Sequence, residues 1–270
     1  MNIFANLSGG RDSSAMVVNW LELGNQLDHI IWRDTGYEFP QMYEYIDKLD
    51  DYIQRNFNKK IHRIDSSKII ESRAFIEPLG RGNRAGMLRG LPKTLGRDYC
   101  TRDTKIHPSR RFVLSISRNQ FKNKILIGYT YNEVENGRTS SLDYGMPCYP
   151  LHEWGWNEKE ITDFLRQRGI MNPLYEKFHR TGCFFCPKQS LASYFMLYKH
   201  FPNEWKIMCE WEKRAKELNC VNQQWHLRYS MEQLEEKFQK QIKKESNLFD
   251  SVDSDNIDNF DFGETCFCHR

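Results

Sequence analysis

Seven consecutive residues, Ser8-Gly9-Gly10-Arg11-Asp12-Ser13-Ser14, stand between two apolar runs and are suited to hold an anion. Gly9 and Gly10 let the backbone approach an oxyanion without a Cβ in the way. The N–H groups of residues 10–14 then face it together with the positive end of the helix that follows. Ser8, Ser13 and Ser14 add hydroxyl donors. Asp12 is an unusual neighbour for a phosphate unless it orients the turn or helps to hold Mg²⁺. The stretch is not a GxxxxGK[ST] loop, because both the spacing and the lysine are missing.

The second chemical resource is sulfur. The chain has eight cysteines, no run of 18 apolar residues and no basic–apolar–small leader pattern at its start. It is therefore expected to be cytoplasmic, with no membrane partner, in a compartment where structural disulfides are rare. That leaves metal ligation, redox chemistry or buried thiols. Cys183 and Cys186 stand in "GCFFCP", a CxxC followed by proline, which directs two thiolates at one ion or cluster. Zinc and an iron–sulfur cluster accept the same thiolates, so spacing does not separate them. Cys209 and Cys220 lie in helix-like sequence and read as core thiols. Cys266 and Cys268 end an acidic arm, where they either deliver a thiol to a distant site or are incidental.

Charge is unevenly spread. The net charge is +3, yet residues 68–111 hold eleven Lys and Arg against four Asp and Glu, and residues 245–264 hold seven acids and no base. Arg81, Arg84, Arg89, Lys93, Arg97, Arg102 and Lys105 form a glycine-rich basic zone. It suits a phosphate-bearing acceptor, with Tyr99 available to stack on a base, or else ATP's own triphosphate. Trp154 and Trp156 are expected in the core.

These groups must be positioned by secondary structure. Residues 2–7 read as a strand, followed by the turn and a buried helix. Residues 29–36 read as a second strand, 40–57 as an amphipathic helix with Pro40 at its start, and 60–65 as a third strand. Alternating strands and helices imply an α/β fold, a parallel twisted sheet with helices on both faces. Residues 112–120 are expected to be helical, 124–133 a further strand, 151–170 a helix and 172–175 a turn. The expected organisation is a nucleotide-binding domain over 1–150, a mostly helical cap over 151–243 and a flexible acidic tail over 244–270.

The turn "SGGRDS" resembles the SGGxDS signature of the PP-loop ATP pyrophosphatases, and "WRDTGYEFPQMYEYIDKL" resembles the DTGxEFPET segment of PAPS reductase-like proteins. The resemblance implies an ATP site formed by Ser8 to Ser14, with Asp34, Thr35, Gly36 and Glu38 at the carboxyl edge of the sheet. "IGYTYNEVENGR" is similar to the family's GxRxxES strand end and adds Gly128, although Tyr129 and Tyr131 stand where arginines are expected. "CTRDTKIHP" is similar to the Cys-x₄-Lys-Val-x-Pro segment of iron–sulfur adenylylsulfate reductases, which brings in Cys100, Arg102 and Lys105. Residues 149–175 resemble the family's "PLxxW…NPLY" block.

Taken together, the resemblance is nearest to the iron–sulfur ATP pyrophosphatase of DNA phosphorothioation systems and looser to the tRNA thiolases. It implies ATP and Mg²⁺ as cofactors, Asp12, Arg102 and Lys105 as catalytic groups, and a [4Fe–4S] cluster, or less readily zinc, on Cys100, Cys148, Cys183 and Cys186. Implied partners are DNA or another nucleic acid, a cysteine desulfurase or other sulfur donor, and further subunits of a modification complex. A sulfonucleotide reductase, a sulfate-adenylylating subunit and a non-catalytic ATP-binding subunit are the alternatives.

Overall fold

The computed structural model of the chain describes residues 1–93, 95 and 98–249, with the backbone alone over 245–249. Five strands form one sheet: β1 (Asn2–Leu7), β2 (His29–Asp34), β3 (Ile61–Asp65), β4 (Asn123–Leu126) and β5 (Met146–Cys148). All neighbours are parallel, and the order is β3-β2-β1-β4-β5. The chain lays down β1, β2 and β3 in one direction and then returns to the other side of β1 for β4. This reversal opens a crevice at the carboxyl ends of β1 and β4, the place where open parallel sheets bind ligands.

Helix α1 (Arg11–Glu22) follows the turn and α2 (Pro40–Phe57) begins with Pro40, as expected. Both connect neighbouring parallel strands, and right-handed crossovers place them on one face of the sheet. Short α3 (Ser67–Glu71) continues as a π turn over Ser72–Ile76. A second π turn, Thr101–Ile106, runs directly into α4 (His107–Ile116). On the α4 face Phe4, Ile31 and Ile125 pack with Val113 and Tyr144. Burying side chains of this size contributes about 1.5–3 kcal/mol each. Strand alternation turns Ile3, Ala5 and Leu7 to the other face, where α1 packs against α6 (Pro150–Glu153) and α7 (Glu158–Gln167).

The segment 124–133 departs from expectation. The strand stops at Leu126, and a capping box between Thr130 and Glu133 starts α5 (Tyr131–Glu135). The single helix expected over 151–170 is two, α6 and α7, divided at Gly155 (φ 70°). Trp154 and Trp156 pack with Trp20 and Phe164 but are half-buried, at the edge of the core rather than within it.

Contacts divide the chain into two compact units, neither continuous in sequence. The first joins residues 1–67 to 101–183; the second joins 68–100 to the described residues from 184 onward. The boundary near 150 expected from composition falls within the first unit. The second unit contains α8 (Leu191–His200), α9 (Pro202–Glu217) and α10 (Met231–Phe249). Its core is organised around buried Glu212, which accepts hydrogen bonds from the backbone N–H groups of Trp225 and Met231 and from Lys216 Nζ. Helix α10 runs past residue 243, where a flexible tail was expected to begin. Cys266 and Cys268 lie outside the described residues, as does Arg97. Among the described residues no helix is long and apolar enough to cross a membrane.

Candidate functional site

The turn after β1 forms a cradle of backbone and hydroxyl groups. Gly9 adopts φ 80°, and a Cβ there would lie 2.3 Å from Met42 Sδ. Ser13 Oγ accepts the Ser8 N–H at 3.0 Å, lies 2.9 Å from Ser8 Oγ and donates to the Gly10 carbonyl at 3.1 Å. Gly10 caps α1 with extended backbone and no side-chain cap, which leaves the first turn to other partners. Ser14 departs from the expected role: it is fully buried on α1 and does not line the cleft.

Asp12 occupies the first turn of α1. Its Oδ1 is buried and makes no hydrogen bond, with Arg11 Nε 3.5 Å away. Burial pushes its carboxyl up to about 6; Arg11 opposes that shift, while Glu133 and Glu158 add to it. An orphaned carboxylate oxygen beside the cradle fits a hard divalent cation such as Mg²⁺. Arg11 does not turn toward the cradle: its Nη2 pairs with Glu158 at 2.6 Å and its guanidinium lies over the Tyr175 ring.

The Asp-Thr-Gly segment sits at the end of β2. Asp34 Oδ1 accepts from the Gly36 N–H at 2.7 Å and from Tyr43 Oη at 2.8 Å, which fixes the turn. Thr35 Oγ1 donates to Glu38 Oε1 at 2.8 Å. Glu38 is buried, which raises its carboxyl, while Lys105 and Thr35 draw it back down.

A cleft of about 400 Å³ opens at the crevice between β1 and β4. Ser8, Ser13, Gly128, Lys105, Arg33 and Asn6 are among its lining residues. Gly128 is there because nothing larger fits: a Cβ would stand 2.9 Å from both the N and the Cα of Ser13. The backbone after β4 thus touches the start of α1. Tyr129 stacks on Tyr149 with ring centroids 5.6 Å apart, and the Arg138 guanidinium lies 4.2 Å from its ring centroid.

The basic zone is divided among several tasks. Lys105 lines the cleft. Arg102, expected to be catalytic, makes a bidentate pair with buried Asp103 at 2.6 and 3.0 Å and is absent from the cleft lining. In the second unit Arg89 Nη1 donates to the Glu77 carbonyl at 2.8 Å, and Arg81 and Arg84 lie in an exposed stretch between the bridge partners Pro78 and Leu88.

The expected four-cysteine metal centre does not fit the first unit as drawn. Cys148 is buried on β5, where its thiol donates to Glu153 Oε1 at 3.3 Å, and burial with that carboxylate pushes it up to about 11. The Cys148 thiol is thus committed to Glu153. Cys183 belongs to the first unit, Cys100 and Cys186 to the second. Cys100 Sγ faces Asp98 Oδ2 at 3.5 Å. Among the described residues no group of three or more His, Cys, Asp or Glu is placed to hold a metal ion. Cys220 is buried as expected, whereas Cys209 is only half-buried; burial raises both thiols.

Four contributors were not singled out from sequence: Asn6, Arg33, Asn172 and Tyr175. Asn172 is fully buried and donates from Nδ2 to the Gly9 carbonyl at 2.8 Å, while its Oδ1 accepts the Leu174 N–H. Tyr175 Oη accepts the Arg11 N–H at 3.0 Å. The "NPLY" turn therefore holds the cradle in shape. Replacing Asn172 by Ala should leave the Gly9 carbonyl unpaired and cost about 1–3 kcal/mol. Urea denaturation of the variant tests this, and an unchanged midpoint would contradict the role.

Residues 2–82 match the phosphoadenosine phosphosulfate reductase domain family. The matched stretch runs over β1 to β3 and contains the turn and the Asp-Thr-Gly segment. The uncharacterized protein MJ0066 of Methanocaldococcus jannaschii is 25% identical over 228 residues, which cover 80% of this chain. The chain spans 42% of that relative's length. Two solved structures are also similar. One is phosphoadenylyl-sulfate reductase from Candida auris in a phosphate complex, with TM-score 0.43, 15% identity, and coverage of 65% of this chain and 77% of that one. The other is the U34-tRNA thiolase NcsA of Methanococcus maripaludis with its [4Fe-4S] cluster, with TM-score 0.42, 12% identity, and coverage of 82% and 74%.

Proposed function

We propose that the protein is an ATP pyrophosphatase that transfers AMP to an acceptor oxygen and releases pyrophosphate, preparing that oxygen for replacement by sulfur. The observation that carries this reading is the intact cradle of Ser8, Gly9, Gly10 and Ser13 opening into the cleft beside Gly128. Its hydroxyls and the first turn of α1 would bind the pyrophosphate half of ATP. Asp12, with its orphaned oxygen, would hold Mg²⁺, which shields charge on the leaving group when bound. Lys105 would neutralise charge accumulating at the α-phosphorus, the usual source of catalysis in phosphoryl transfer.

DNA is the acceptor favoured here, in phosphorothioate modification. The exposed Arg81 and Arg84 supply the cationic surface that a polyanion requires. A cysteine desulfurase or another donor would bring the sulfur, within a larger modification complex. No step is assigned to an iron–sulfur cluster or zinc, because Cys148 does not fit the expected ligand set. Sulfonucleotide reduction is less well supported: Tyr129 stands where an arginine is expected and is itself engaged by Tyr149 and Arg138.

The acceptor is tested by measuring AMP release from ATP under anaerobic conditions with duplex DNA, with tRNA and with neither. Stimulation by DNA alone is expected. Stimulation by tRNA alone would replace DNA as the acceptor.

A further inference from the structure

Arg33 is a charge without a counter-charge. It lies at the carboxyl end of β2 and lines the cleft. Its Nη1 donates to Asn6 Oδ1 at 2.7 Å and to the Ile31 carbonyl at 3.4 Å, while its Nε is buried with no hydrogen-bond partner. It makes no ion pair among the described residues; Glu38 acts on it only through space. Arg33 is half-buried, and a charge drawn partly out of water is costly unless a counter-charge offsets it. The groups around it in the cleft are hydroxyls and a second cation: Ser109, Ser140, Tyr144 and Lys105. Asp143 also lines the cleft, but its carboxylate accepts from Arg110 Nε at 2.8 Å.

Strand alternation places Asn6 and Arg33 on the face of Phe4 and Ile31, the α4 side of the sheet, whereas the glycine turn leads into α1 on the other. The cleft therefore attracts anions at two ends.

We propose that Arg33 binds the acceptor of the adenylyl group, and that this acceptor is a tetrahedral oxyanion, a sulfate or a phosphate-ester oxygen, held at the α4 side of the cleft. The proposal rests on the adenylating function above and names its acceptor class. A neutral acceptor such as a base carbonyl would leave the guanidinium without a counter-charge, whereas an oxyanion supplies one and accepts from Nη2, since Nη1 is engaged by Asn6 and Ile31. In the step itself an acceptor oxygen forms a bond to the α-phosphorus. The bridging α–β P–O bond breaks, and pyrophosphate leaves with its electron pair. An acceptor that is already anionic has no proton to lose, so no general base is needed there.

The test uses millimolar sulfate or dimethyl phosphate, with chloride at equal ionic strength as the control. Melting temperature and calorimetric binding are measured on the full chain, without turnover. Wild type should bind the oxyanion, both in the presence and in the absence of magnesium and a non-hydrolysable α,β-methylene ATP. Arg33→Met should weaken oxyanion binding about tenfold or more. Asn6→Asp, which gives Arg33 an internal carboxylate, should raise the anion-free melting temperature and remove the oxyanion response. This second variant decides the question if Arg33→Met fails to fold. A stronger response to sulfate would indicate a free anion as acceptor, and one to dimethyl phosphate a diester backbone; either supports the proposal. Undiminished oxyanion binding in Arg33→Met or Asn6→Asp would overturn it, as would displacement of the oxyanion by the nucleotide analogue. Absence of ATP cleavage, measured separately, would instead strike the adenylating reading.

Discussion

Asp12→Asn should lose ATP cleavage by about 10²–10³-fold, the scale on which removing a key electrostatic group acts, and should at the same time stabilise the fold. The two effects share one cause. Burial raises the Asp12 carboxyl from 3.8 to about 6, so folding favours its protonated form. The ionised form thus burdens the folded state above about pH 6, and that burden disappears as pH falls toward the unfolded value. With the side chain 34% exposed, solvent screening reduces the stabilisation expected from Asn at neutral pH to about 1–2 kcal/mol. Wild-type cleavage should correspondingly decline as pH drops through about 6, because the protonated acid no longer attracts a cation. Melting curves and AMP release on the same preparation test both halves. A variant that is less stable and fully active would mean that Asp12 only orients the turn.

Gly128→Ala should damage the cradle through a single added methyl group. Its Cβ would stand 2.9 Å from the backbone of Ser13, and backbone cannot rotate away as a flexible side chain can. Either β4 or the start of α1 must shift, and Ser13 is the residue that organises Ser8 and Gly10. Overpacking of this kind costs about 1–3 kcal/mol, and a displacement near 1 Å at a reacting site can cost about 10²-fold in rate. Gly24→Ala, where a Cβ meets nothing within 4 Å but φ is 70°, provides a strained control remote from the crevice. Nucleotide affinity measured on both should fall only for Gly128→Ala; equal affinities would dissociate Gly128 from the cradle.

Much of this arrangement is local and therefore legible in the chain. β1, the turn, α1, β2, α2 and β3 announce themselves through apolar runs, glycines and Pro40, each acting on its immediate neighbours. The three-residue β5 contains Pro147 and exists because β4 pairs with it, a non-local cause that no short window carries. The discontinuous units have the same origin. Contacts join 68–100 to residues beyond 184, whereas a composition shift near 150 is read along the sequence.

The site divides in the same way. Ser8, Ser13 and Gly128 line the cleft, whereas Arg11 is drawn off by Glu158 and Arg102 by Asp103. The CxxC spacing says nothing of Glu153, which holds the Cys148 thiol protonated. Arg33 had a usable signal: a charged residue in "HIIWRD", a strand buried in the middle of a parallel sheet where apolar residues are the rule.

The central claim is that the crevice between β1 and β4 cleaves ATP at its α–β bond. The most direct measurement is anaerobic incubation with α-labelled ATP and Mg²⁺, with and without DNA, followed by separation of AMP, ADP and pyrophosphate. Pyrophosphate matched by an equal amount of label as free AMP or as AMP joined to the acceptor, increased by DNA and absent in Asp12→Asn, is the predicted result. ADP as the labelled product, or no cleavage under any condition, would contradict it.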